Sequence, residues 1–205
     1  MANIIAPFGF SQLGNASGPP NFAEVHSTPY LISASNTTAI FKGDAVRYVA
    51  GGSPTGFITQ WTQGDGSATQ QLVGIFLGCE YFSTSQKKNV WNNYWPGSDA
   101  TGNVNAYGVD EPNSQWLVQA ATGPITQTSM GFGADIAATP SGSLVTGISG
   151  MALLSPSAGS AATLPFKVVG LYNGVPTSQG QDVTTAGNFV IVAFNNQIYK
   201  TQTGV

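Results

Sequence analysis

An all-β domain is predicted by three features of the 205-residue sequence. Apolar runs are short and rich in Val, Ile, Phe and Tyr, and Gly, Pro, Ser, Thr and Asn punctuate the chain between them. No stretch sustains a 3.6-residue apolar stripe for three turns, so helices are expected to be short or absent. Taken in order, strands are expected within residues 28–34, 44–50, 56–61, 71–82, 103–109, 114–121, 133–138, 143–154, 166–172 and 188–200. The run "FVIVAF" (189–194) is apolar on both alternating faces, which places it in the middle of the core.

Residues 1–20 are read as an extended N-terminal arm, because Phe8 and Phe10 sit between Pro and Gly, and 21–205 as the β-rich domain. An arm with aromatic side chains needs a surface, either its own domain or a neighbouring subunit. Within the domain two related β-units are discernible, about 38–82 and 130–175. The first runs "FKGDAVRYVAGGSPTGFI" to "LVGIFLG" and the second "GFGADIAATPSGSLVTGI" to "KVVGLYN". A duplicated unit and coincidence between two Gly-rich strand pairs both fit that likeness. The loops "TQGDGSATQQ" and "SPSAGSAAT" have the polar or small-residue character of mobile tips.

Charged residues are only 7% of the chain, so the surface is polar mainly through hydroxyls and amides, which suits large permanent contacts. A net charge of -3 is too negative and too dilute for a phosphate-backbone footprint, so nucleic acid is not expected as a partner. Hydrophobic residues at 41% are enough to build a core without staples. No apolar segment reaches membrane-spanning length and no secretory leader is visible, so neither a membrane nor export is expected. Asn15-Ala-Ser and Asn36-Thr-Thr are read as chance matches to the glycosylation pattern.

The inventory for chemistry is thin. His26 is the single histidine, and strand alternation would set it beside Glu24, with Ser27 next to it; a local contact is the reading preferred over a catalytic set. Asp110 and Glu111 precede Pro112 and read as turn residues. Cys79, the lone cysteine, reads as an inert buried thiol. Asp44, Asp65, Asp99 and Asp135 lie in or beside turns, which suits side-chain bonding to local backbone better than a calcium cage. "GFGADI" has Ile136 where a dinucleotide loop would need its third glycine. No enzyme activity, cofactor or metal is expected.

The stretch "QKKNVWNNYWPGSDA" (86–100) crowds Trp91, Tyr94 and Trp95 beside Lys87 and Lys88. Trp95, fixed by Pro96, is expected in the core, while Lys87 to Trp91 is expected to project as a loop toward a partner, since two adjacent lysines are costly to bury. Partner-contact candidates are therefore Phe8, Phe10, Lys87, Lys88 and Trp91.

The opening "MANIIAPFGF", the middle "LVGIFLGCEY" and "NNYWPG", the "YGVDEPNSQWLVQA" segment, and the late "FKVVGLYN" and "NFVIVAFNNQIY" resemble, in that order, the capsid decoration (cement) proteins of tailed bacteriophages. The Gly43 to Val46 segment is similar to the opening of β-tulip decoration domains. The resemblance implies a β-barrel or β-tulip-like domain on the outside of a virion, made in the host cytoplasm and bound to the major capsid protein, with a homo-oligomer on the shell. The alternative is a carbohydrate- or receptor-binding β-domain of a virion surface, using the Trp91 and Trp95 region.

Overall fold

The computed structural model describes residues 3–15, 28–49, 56–137, 142–155, 161–172 and 181–200. Their strands, in chain order, are β1 (Ser11–Asn15), β2 (Tyr30–Ile32), β3 (Ile40–Phe41), β4 (Ala45–Tyr48), β5 (Ile58–Gln60), β6 (Leu72–Ser83), β7 (Lys88–Asn92), β8 (Tyr94–Trp95), β9 (Val104–Val109), β10 (Ser114–Gln119), β11 (Gly133–Ala134), β12 (Phe166–Leu171) and β13 (Phe189–Phe194). One short 3₁₀ turn, Gln127–Ser129, is the helical content of the described residues. The domain is all-β, as its short apolar runs predict.

Two larger sheets are built from these strands. The five-stranded one has the order β1-β10-β13-β12-β11, and the six-stranded one β2-β9-β6-β4-β5 with β7 also paired to β6. A ribbon of β3 and β8 stands apart. The "FVIVAF" strand is the middle strand of five, with Val190, Val192 and Phe194 buried.

Strand β6 organises the interior because its neighbouring side chains enter different cores. Leu72 and Ile75 join Val109, Trp116, Phe166 and Val192 between the two sheets. Val73, Phe76, Cys79 and Tyr81 point the other way, into a second core with Ile40, Val104, Ala106 and Trp95. The second core is closed by the β3–β8 ribbon, which supplies Ile40 and Trp95. A bulge between Phe76 and Gly78, where β6 meets β9, falls midway along this longest strand.

Three expectations are corrected. Residues 143–154 form no strand: Ser143 N–H bonds to Ile148 O and Gly147 N–H to Ser143 O, closing a turn. Lys88 to Asn92 is a strand rather than a loop. The described part of the arm, residues 3–15, belongs to the domain, since β1 pairs with β10 at the edge of the five-stranded sheet. The two related segments each contribute an antiparallel pair, β4–β6 and β11–β12, in different sheets, but their registers differ. Gly74 lies opposite Val46, whereas Gly170 lies opposite Ile191 of the other neighbour.

Candidate functional site

Trp91 and Trp95, four residues apart, have opposite fates. Trp95 is fully buried, meets Tyr81 edge-on with centroids 5.1 Å apart, and donates its indole N–H to Asn36 O at 3.2 Å. Trp91 is 59% exposed on the outer face of β7, its ring 5.0 Å from Tyr107 of β9. Lys87 and Lys88 are exposed at the β6–β7 turn, where Lys87 takes a left-handed φ of 57°. Asp99 clamps that turn, accepting from Ser83 Oγ at 2.7 Å, Thr84 Oγ1 at 2.9 Å and Ser85 N–H at 2.9 Å. Desolvation pushes the Asp99 carboxyl up, but the hydrogen bonds from Ser83, Ser85 and Thr84 outweigh it and hold the group at about 2.

The N-terminal segment is fastened to its own domain. Asn3 Nδ2 donates to Asp182 O at 2.7 Å, Gln119 Nε2 to Ile4 O at 2.7 Å, and Ala6 N–H to Gln119 Oε1 at 2.8 Å. Gly9 has φ 75°, and a Cβ there would lie 2.5 Å from Ser149 and 2.7 Å from Gly43 O, so only glycine passes. Phe10 then enters the core and stacks on Phe166 at 4.3 Å. Phe10 is therefore a core residue, with only its edge at the groove that Phe8 also lines, while Phe8 is half-buried against Phe189. The backbone of this segment is pinned, yet Ile4 is left 82% exposed beside a half-exposed Ile5.

Phe8 also lines an open groove of about 480 Å³ between the sheets, with Leu77 of β6, Trp116 of β10, Lys42, Asn93 and Ile148 around it. Ile148 belongs to the 143–149 turn, whose tip presents Leu144 at 58% and Val145 at 96% exposure. That turn is tied to the domain by hydrogen bonds: Lys42 N–H bonds to Gly147 O, Ser149 N–H to Lys42 O, and Asn93 Nδ2 to Thr146 O at 2.9 Å. The apolar side chains of the tip are left facing solvent. Sequence pattern hid this feature, because "SLVTGI" has the β-branched composition of a strand.

The groups weighed for chemistry are committed elsewhere. Asp110 is buried and accepts from Tyr30 OH at 2.5 Å, while Glu111 lies at the turn and takes Asn113 N–H. Burial pushes the Cys79 thiol up to about 12, and it donates to Tyr94 O. Asp65 pairs with Arg47 at 2.6 Å and caps Thr62; Asp135 takes the Trp61 indole N–H and Gly64 N–H. Asp44 is buried, with Oδ2 accepting from Phe41 N–H and Gln60 Nε2, each at 2.7 Å. Among the described residues no three His, Cys, Asp or Glu side chains converge as metal ligands would, and no helix is long and apolar enough to cross a membrane. Glu24, His26 and Ser27 lie outside the described residues.

No protein-family model, curated protein or solved structure matches the chain.

Proposed function

We infer that this is a structural virion protein, which decorates and stabilises the outside of a phage capsid by binding the major capsid protein. The observation that carries the reading is a set of outward-facing apolar side chains on hydrogen-bonded backbone: Ile4 and Ile5 on the N-terminal segment and Leu144 and Val145 at the turn tip, with an open groove lined by Phe8 and Ile148. Exposed apolar groups on a mobile loop can retract, whereas groups fixed by backbone bonds stay exposed until a partner covers them. Preformed surfaces also lose little ordering entropy on docking, and repetition over a symmetric shell multiplies modest contacts. The family resemblance of the chain's motifs and its low charge support the same reading.

The test is co-sedimentation of the free protein with phage shells that lack it. A variant with Leu144→Ser and Val145→Ser should nearly keep its melting temperature, because Val145 is in water and Leu144 is more than half exposed, yet lose about 2 kcal/mol or more of attachment. Unchanged attachment would remove the tip from the contact and, with it, the reading's main support.

A further inference from the structure

The face around Trp91 has a different chemistry from the apolar tip, and we propose that it is a saccharide-binding platform on which the Trp91 ring stacks against a pyranose. The ring is fixed on one side only. A Cβ at Gly78 would lie 3.0 Å from the Trp91 ring and 2.9 Å from Asn92 O, so the glycine lets the indole lie down on the sheet while its remaining surface faces solvent. Tyr107, opposite Gly78 in the register, steadies it from the side.

Strand pairing sets hydrogen-bonding groups around this ring. Glu80 is directly opposite Trp91, Asn105 is opposite Glu80, and Asn89 is two residues from Trp91 on the same face. Glu80 and Asn89 are exposed and Asn105 is half-buried. None of the three side chains hydrogen-bonds to another described residue, in contrast to Asn92, which holds Tyr81 OH at 2.9 Å, and Asn93, which holds Thr146 O. A carboxylate accepts from vicinal hydroxyls, and each amide both donates and accepts, so the set matches a neutral polyhydroxyl ligand. The sugar's C–H face would cover the electron-rich face of the indole. The face is mixed, since Tyr107 flanks the ring and Phe82, opposite Asn89, is part-exposed, but the residue directly opposite Trp91 is the carboxylate Glu80.

The site can be read without a label. Trp61, Trp95 and Trp116 are fully buried, so Trp91 is the exposed member of the four tryptophans. With the free full-length protein, short oligosaccharides of gluco, galacto and N-acetylglucosamine configuration are screened for protection of tryptophan fluorescence against iodide. Saturation-transfer NMR then locates the contacted sugar protons. At least one saccharide should shield the iodide-accessible fraction and show saturation on its C–H face. Trp91→Ala should abolish the NMR contact and Glu80→Gln should weaken it about tenfold, with near-ultraviolet dichroism of the buried aromatics unchanged. No shielding by any saccharide in the panel, or NMR contact that survives Trp91→Ala, overturns the proposal. Loss of shell attachment in Trp91→Ala without saccharide binding also overturns it and hands the face to a protein partner. The saccharide measurements themselves use no shells, so a failure to bind any saccharide leaves the decoration reading untouched.

Discussion

At the residue scale, burial decides what each aromatic and each carboxylate can do. Trp95→Ala should cost about 3 to 5 kcal/mol of stability, the usual price of emptying a large buried aromatic site, while Trp91→Ala should change stability little. Paired urea melts distinguish these outcomes, and equal losses would mean that Trp91 also carries core packing. Asp44 offers a pH signature, because burial raises its carboxyl to about 6 against the hydrogen bonds that favour the charged form. The folded state therefore binds this proton more tightly than the unfolded chain. Its contribution to stability is full below the unfolded pKa near 3.8 and is lost as pH rises through about 6, a change of about 3 kcal/mol. Asp44→Asn keeps an uncharged acceptor for Phe41 and Gln60 and should flatten the stability profile between pH 4 and 7. A profile as steep as wild type would locate the proton elsewhere.

At the scale of elements, the β6–β7 hairpin depends on Asp99, whose low pKa means its hydrogen bonds to Ser83, Thr84 and Ser85 hold above the ordinary carboxylate range and fail as pH falls through about 2. Asp99→Ala should speed hydrogen exchange at the β7 amides while leaving β13 protected; unaltered β7 exchange would show that the clamp is dispensable. The N-terminal segment makes a second element-level test. Phe10→Ala should cost about 3 kcal/mol or more, as a core deletion does, and full stability without Phe10 would return the segment to the role of a detachable arm. Long strands such as β6, β10 and β13 were legible because one apolar run fills each of them. The strands β1, β3 and β8 were not, since two to five residues of Gln, Gly, Ile or Trp carry no period and are held by their partners. The Trp91 and Trp95 contrast was legible from the flanking lysines and Pro96. The Leu144–Val145 tip was not, because composition marks a residue as apolar, whereas its exposure follows from a turn closed by Ser143 and Gly147 and tied to Lys42 and Asn93.

At the scale of the molecule, two cores on opposite faces of one sheet give a stiff body whose outer surface can hold apolar and polar groups in fixed places. Rigid presentation of the Ile4–Ile5 segment, the groove and the 143–149 turn is what the decoration reading requires, and hydrogen exchange reports it in the intact assembly. The most direct measurement is an exchange footprint of the free protein against the protein bound to phage shells. The expected result is protection on binding concentrated at residues 3–8 and 142–149, with β12 and β13 unchanged. Protection absent from both segments, or no difference between free and shell-mixed protein, would contradict the assignment of this surface to the capsid.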